Sequence, residues 1–254
     1  MDAPETLMLA ALGGALVGLL LTLFGGGGSV LATPWLIYVV GVADTHLAIG
    51  TSAAAVAVNA AVGLTAQARS GTVKWPCASV FAVAGLAGAM IGAEIGKRTD
   101  GAALLNWFAL AMIAIAVSMM IPRRSEGDPA VHLSPAMVPK LALAGLGAGL
   151  AAGFFGIGGG FLIAPGLMAA TGMTIANAAA SSLVSVTLFG GATSASYALS
   201  GSVDWALFGA LVAGGALGTV AAMPMVRWLA ARAGVARRLF ALMIMAVAGA
   251  ILIG

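Results

Sequence analysis

Long apolar runs, separated by short polar islands, make up most of this chain. A helix of about 20 apolar residues crosses the roughly 30 Å hydrocarbon core of a bilayer, and most of the runs approach or exceed that length. The pattern therefore predicts an all-α polytopic membrane protein. The runs cover about 6–24, 28–40, 46–68, 75–95 and 101–121 in the first half, and 137–155, 159–171, 176–198, 205–226 and 238–253 in the second.

Two of these runs, 28–40 and 159–171, are too short for a full span. At 1.5 Å per residue each covers roughly 20 Å. Each follows a glycine-rich stretch, Phe24–Pro34 in the first half and Phe155–Pro165 in the second. Because glycine costs roughly 1 kcal/mol relative to alanine inside a helix, we expect both helices to break there. Short, glycine-interrupted segments at matching positions in two halves indicate a transporter's binding site.

The two halves of the chain correspond beyond the glycines. The glycine stretches are 131 residues apart, and after one deletion the offset becomes 130. At that offset Gly50-Thr51-Ser52 aligns with Ala180-Ser181-Ser182, and the sequence at 70–75 aligns with that at 200–205. We interpret this series of matches as an internal repeat.

The distribution of Lys and Arg predicts the orientation. If ten segments cross and the N-terminus is outside, nine of the 11 basic residues are cytoplasmic, and Lys97 and Arg98 are outside. In an alternative with eight full spans, each short segment and the segment after it form one bent span. Six basic residues then lie on one side of the membrane and five on the other. Five segments per half is an odd number, so the repeats should be inverted. This reading gives a first repeat at 1–121, a cytoplasmic linker at 122–136, a second repeat at 137–254, and two periplasmic termini.

Composition excludes several classes of protein and partner. Hydrophobic residues make up 61% of the chain and charged residues 7%, against about 25% charged in soluble domains. Basic residues lie at the ends of runs rather than in a patch with aromatics, so we expect a lipid bilayer and no nucleic acid as partner. One cysteine and two distant histidines predict neither a metal site nor a cofactor. No ionisable residue lies in the middle of a run, so we expect no catalytic residue and no enzyme.

The remaining polar groups suit a small anion. A helix that begins at Ser29 or Gly160 directs unpaired N–H groups towards the glycines, where an anion can approach the backbone. Alternatively the glycines permit tight helix crossing, and the hydroxyls bond to their own helix carbonyls. Tight crossing is the role we expect for the scattered glycines Gly85, Gly88, Gly145, Gly147 and Gly149. The candidate substrate-binding residues are Gly25, Gly27, Gly28, Ser29, Thr51, Ser52, Asn59, Gly156, Gly158, Gly159, Gly160, Ser181 and Ser182.

The pattern resembles a known family. Gly-Gly-Gly-Gly-Ser at 25–29, a short apolar helix, Ala-Ile-Gly-Thr-Ser at 48–52 and their second-half echo resemble the sulfite exporter TauE/SafE family of membrane transporters. The resemblance covers nearly the whole chain. It implies export of sulfite, a sulfonate or a related organosulfur anion across the bacterial inner membrane, with binding at the glycine stretches and hydroxyl pairs. Ile157 stands where the first copy has Gly26, so the two half-sites are not equivalent.

These observations lead to a functional hypothesis with two alternatives. The hypothesis is a secondary transporter that exports a small anion by alternating access around a site at the bilayer midplane. The chain has no nucleotide-binding motif, so a gradient would drive it. The alternatives are a passive anion channel with the same site, and an intramembrane enzyme or structural subunit. Small-residue faces also leave a homodimer open.

Overall fold

A computed structural model describes residues 3–120, 127–156, 160–230 and 233–253. Within these ranges the structure has helices and no β-strand. The first half contains α1 (Ala3–Phe24), a 3-10 segment (Gly25–Leu31), the single turn α2 (Ala32–Pro34), a π-helical segment (Trp35–Val39), α3 (Thr45–Ala68), α4 (Trp75–Lys97) and α5 (Gly101–Met120). The second half contains a 3-10 turn (Pro135–Met137), α6 (Val138–Phe155), α7 (Gly160–Thr171), α8 (Ile175–Leu199), α9 (Trp205–Ala230) and α10 (Ala233–Ile253).

Six stretches of the described residues are long and apolar enough to cross a bilayer. Two shorter apolar helices, Gly101–Val117 and Leu162–Thr171, accompany them. The all-α fold expected from the hydrophobic pattern is confirmed. The six stretches are Pro4–Val39, Thr45–Ala68, Trp75–Lys97, Pro135–Phe155, Ile175–Leu199 and Trp205–Met225.

The first of these stretches, Pro4–Val39, reverses direction within itself. The Trp35 indole Nε1 donates a hydrogen bond to the Leu9 carbonyl at 2.9 Å. In a straight helix these residues would lie about 39 Å apart, at 1.5 Å per residue. The chain turns at Gly25, whose φ is +65°, and α6 likewise ends at left-handed Gly156, whose φ is +67°. The predicted helix breaks at both glycine stretches are confirmed.

Two predicted boundaries are wrong. No helix begins at Ser29, because tight 3-10 pairing continues through the glycines from Gly25 to Leu31. Glycine tolerates these short turns, so helical pairing resumes directly after the break at Gly25. The apolar runs 205–226 and 238–253 also underestimate their helices, since α9 continues to Ala230 and α10 begins at Ala233. Arginine is a good helix former, so a helix can extend beyond the apolar run.

Helices α3 and α8 form the centre of the bundle. They pack on one another, and each also packs on a helix of the other half, α3 on α9 and α8 on α4. Around them α1 packs on α9, α4 on α6, and α5 on α10. Helices from the two halves therefore interlock throughout the described part of the chain.

Glycines set the spacing of these crossings. A Cβ on Gly18 of α1 would overlap the Gly215 carbonyl of α9, and one on Gly149 of α6 would overlap the Gly85 carbonyl of α4. The two contacts are counterparts at the repeat offset. Small residues let helix backbones approach in this way, which confirms the packing role predicted for Gly85 and Gly149. The same prediction is wrong for Gly147, where a Cβ would meet nothing within 4 Å.

This difference between neighbouring glycines of α6 is testable. Gly149→Ala should lower the free energy of unfolding by about 1–3 kcal/mol, because its methyl group must push α4 away. Gly147→Ala is the matched control and should leave stability within about 1 kcal/mol of wild type. Thermal and SDS unfolding of the purified protein in detergent measures both. Equal destabilisation by the two substitutions would contradict the crossing geometry.

Candidate functional site

The two glycine stretches meet at the centre of the molecule. The backbone of Gly26 lies directly against Gly160, the first residue of α7. A Cβ on Gly160 would overlap the Gly26 carbonyl, so no side chain fits at this crossing. Gly25 to Ser29 are buried. The structure thus brings together two stretches that are distant in sequence, and backbone groups line their contact.

Ser182 of α8 joins this crossing. Its fully buried Oγ accepts a hydrogen bond from the Gly26 backbone N–H at 2.9 Å and donates one to the Ala179 carbonyl at 2.8 Å. A Cβ on Gly25 would overlap the same Ala179 carbonyl. Of the hydroxyl pair Ser181 and Ser182, the Ser182 hydroxyl therefore lies at the first glycine stretch, as a site at this crossing requires.

Ser52 of α3 has a related environment. Its Oγ donates to the Ile49 carbonyl at 3.0 Å and lies 2.6 Å from the Thr33 Oγ1, so the Thr33 hydroxyl donates to it. Both side chains are fully buried. Gly156 packs against the Ile49 side chain. Sequence reasoning missed Thr33, although it lies inside the first glycine stretch and carries a hydroxyl.

Thr51 and Ser181 have a different role from their neighbours. The Thr51 Oγ1 accepts a hydrogen bond from the Asp204 N–H at 2.8 Å, and the Ser181 Oγ accepts one from the Lys74 N–H at 2.9 Å. These N–H groups belong to the first turns of α9 and α4, where a helix lacks internal acceptors. Each hydroxyl therefore caps a helix of the other half, and the two bonds are counterparts at the offset of 130.

Two residues of the first glycine stretch make local contacts. The Ser29 hydroxyl donates to the Gly26 carbonyl at 2.7 Å, which is the backbone-bonded alternative for a serine. Gly28 packs against the backbone of Leu20 and Leu21 in α1. Gly27 is also buried. These three residues stabilise the turn. None of them has a side-chain hydrogen-bond donor left over for a ligand.

The other candidates lie further along or outside the described residues. The Asn59 side chain donates to the Leu211 carbonyl at 3.3 Å and packs against Gly215, so it joins α3 to α9. Its Oδ1 is buried and has no hydrogen-bond partner in the described part of the chain. Gly158 and Gly159 lie outside the described residues.

Ser185 is a further polar residue near the crossing that sequence reasoning missed. It lies one helical turn beyond Ser182 on α8 and is fully buried. Its hydroxyl has no hydrogen-bond partner among the described residues, and a buried hydroxyl normally has one. The sequence contained one indication of its position, because residues three apart, such as Ser182 and Ser185, lie on the same face of a helix.

The electrostatics of this region are those of neutral dipoles. Every buried polar side chain that the structure describes is uncharged. Where charges pair, they do so at helix ends, as Glu94 and Lys97 do at 2.6 Å. No group of three His, Cys, Asp or Glu in the described ranges could hold a metal. Backbone N–H and hydroxyl groups can donate hydrogen bonds to an anion without the cost of a buried charge.

Comparisons with known proteins identify the family of this chain. The family model for the sulfite exporter TauE/SafE matches residues 10–251. A probable membrane transporter protein of Xylella fastidiosa (strain Temecula1) is 42% identical over 246 residues, 96% of this chain and 94% of that protein. The probable membrane transporter protein YunE of Bacillus subtilis (strain 168) is 28% identical over 224 residues, 79% of this chain and 81% of that protein. No solved structure matches the chain. The chain therefore belongs to the TauE/SafE family of membrane transporters.

Proposed function

We propose that this protein is a secondary transporter that exports a small anion, sulfite or a sulfonate, from the bacterial cytoplasm by alternating access. The observation that carries the proposal is the crossing of the two glycine stretches. There Gly26 and Gly160 meet backbone to backbone, Ser182 brings a buried hydroxyl to the Gly26 N–H, and the buried hydroxyl of Ser185 lies one turn further along α8. Neutral donors around a side-chain-free contact suit an anion that must be held weakly enough to leave.

The two repeats, 1–121 and 137–254, are inverted and joined by a cytoplasmic linker at 122–136. The exchanged caps of α4 and α9 support this arrangement, because each half holds a helix end of the other. Left-handed glycines also recur at the repeat offset, where a side chain would be strained. The matched pairs are Gly25 with Gly156, Gly41 with Gly172, and Gly71 with Gly201.

Two bodies move against each other in this proposal, and each contains helices of both repeats. We assign α1, α3 and α9 to one body and α4, α6 and α8 to the other, so that the extensive packing of α3 on α8 is the interface between them. The bond from Thr51 to α9 lies within the first body, and the bond from Ser181 to α4 lies within the second. The bond from Gly26, which lies in the 3-10 segment directly after α1, to Ser182 of α8 joins the two bodies at the glycine crossing. Rocking about this crossing would open the anion site to one side at a time.

The hydroxyl of Ser185 offers a clean test of the site. Ser185→Ala breaks no hydrogen bond within the described structure, so stability should be retained. It removes a donor to a charged ligand, which should raise the half-saturation concentration for sulfite about tenfold. Sulfite flux into proteoliposomes measures this effect. Ser200→Ala, which removes an exposed hydroxyl at the end of α8, is the control and should behave as wild type. Equal kinetics for both variants would contradict a site at the crossing.

The mode of transport has its own test. A carrier should exchange labelled for unlabelled sulfite across the membrane, and uptake should respond to an imposed pH gradient because a weak-acid anion can carry its own proton. Proteoliposomes loaded with unlabelled sulfite measure both properties. Fast flux without exchange would instead favour the passive channel.

Inverted topology predicts that matched positions label from opposite sides. Ser70 and Ser200 are exposed counterparts at the offset of 130. In a Cys77→Ala background, a membrane-impermeant maleimide should label Ser200→Cys in intact cells, and it should label Ser70→Cys only after the cells are opened. Labelling of both positions from the same side would rule out the inversion.

A further inference from the structure

A second cluster of buried polar atoms lies away from the glycine crossing, towards the C-terminal end of α8. Thr193 and Tyr197 are 0% and 1% exposed, and neither hydroxyl has a hydrogen-bond partner in the part of the chain that the structure describes. They are one turn apart and share a face of α8. The buried Nδ1 of His46, at the start of α3, also lacks a partner within the described ranges. Buried hydroxyl and imidazole groups without partners are costly, so a ligand that bonds to them would recover free energy.

These residues lie between the two bodies of the proposed transporter. The rings of His46 and Tyr197 stack with their centroids 6.1 Å apart, so α3 of one body meets α8 of the other here. Tyr197 also packs with Ile49, Ala93 and Leu104, which closes this end of the interface with apolar groups. The cluster lies 11 to 15 residues beyond Ser182 on α8, roughly 16–23 Å along the helix axis. It is therefore separate from the glycine crossing.

The matching end of α3, in the first half, carries different polar groups. At the repeat offset Thr193 and Tyr197 correspond to Gly63 and Gln67. The buried Gln67 amide donates to the Thr22 carbonyl of α1 at 2.9 Å, so it is already bonded within its own body. Unpartnered hydroxyls therefore occur at only one of these two matched ends of the described structure. Under the predicted topology that end faces the periplasm.

The charges around the cluster are compatible with an anion. Glu94, which lies close to Tyr197, accepts hydrogen bonds from Ser196 at 2.9 Å and from Lys97 at 2.6 Å. Its carboxylate is therefore balanced by a cation at the same end of α4. Lys97 and its neighbour Arg98 are also the two basic residues that the charge distribution places outside. Asp44 accepts a hydrogen bond from the His46 N–H, and Asp100 precedes α5 at the same end, so three carboxylates accompany these two cations and the neutral donors must supply the binding.

We propose that Thr193, Tyr197 and His46 form an outer subsite that holds the exported oxyanion between its release from the glycine crossing and its exit. The phenol and hydroxyl groups donate hydrogen bonds to the anion, and the imidazole donates a third when its Nδ1 carries the proton. The proposal rests on the proposed export function. The anion replaces the missing partners of the cluster, and separation of the His46 and Tyr197 rings opens the exit.

Sided transport tests this subsite. Tyr197→Phe and Thr193→Val each remove one hydroxyl and keep the shape of the side chain. In right-side-out vesicles each should raise the half-saturation concentration for external sulfite about fivefold, and in inside-out vesicles the value for cytoplasmic sulfite should stay at wild type. Thr187→Val is the matched control, because the Thr187 hydroxyl already bonds to the Leu183 carbonyl of its own helix. Unchanged values on the outer side, or equal changes on both sides, would overturn the proposal.

Direct binding separates this proposal from the transport function. Sulfite should raise the unfolding temperature of the detergent-solubilised wild type and of Thr187→Val, and it should raise that of Tyr197→Phe less. If the three proteins show these unfolding temperatures but the wild type transports no sulfite, the export function fails and the outer subsite stands. If sulfite is transported and Tyr197→Phe matches the wild type in both assays, the subsite fails and the export function stands. No stabilisation of the wild type by sulfite, thiosulfate or methanesulfonate would overturn the subsite.

Discussion

The contact between the backbones of Gly26 and Gly160 is the constraint on which the centre of this protein depends. Neither position can carry a side chain without overlap, so the first glycine stretch and the start of α7 can approach closely only as glycines. The left-handed turns at Gly25 and Gly156 bring the two stretches there. Because α3 and α8 flank this contact, buried hydroxyls such as that of Ser182 reach a region with little side-chain bulk.

A second constraint is the exchange of helix caps between the halves. Thr51 stabilises the start of α9, and Ser181 stabilises the start of α4, so one helix of each half receives a hydrogen bond at its start from the other half. The first four N–H groups of a helix need acceptors, and these two N–H groups are part-buried, so hydroxyls of the other half bond to them. The two halves of the chain therefore stabilise each other's helix starts at these two positions. This interlocking also explains why the proposed moving bodies do not coincide with the repeats.

Much of the fold could be predicted from the sequence, because it follows from the length of apolar runs and from glycine. The breaks at Gly25 and Gly156 are examples, since no other residue type enters left-handed turns as easily. The site could be predicted only in part. Adjacent residues on a helix point about 100° apart, and only the packing of α3 against its neighbours shows which of Thr51 and Ser52 turns towards the glycine stretch. The role of Ser185 depends on which atoms surround it, and the sequence does not contain that information.

The central claim is that the glycine crossing holds one small oxyanion. The most direct test is a structure of the protein with selenite, a heavier analogue of sulfite, located by the anomalous scattering of selenium. We predict a selenium peak within hydrogen-bonding distance of the Gly26 backbone and of the Ser182 and Ser185 hydroxyls. A well-ordered selenite at another place in the bundle, with none at the crossing, would contradict the account.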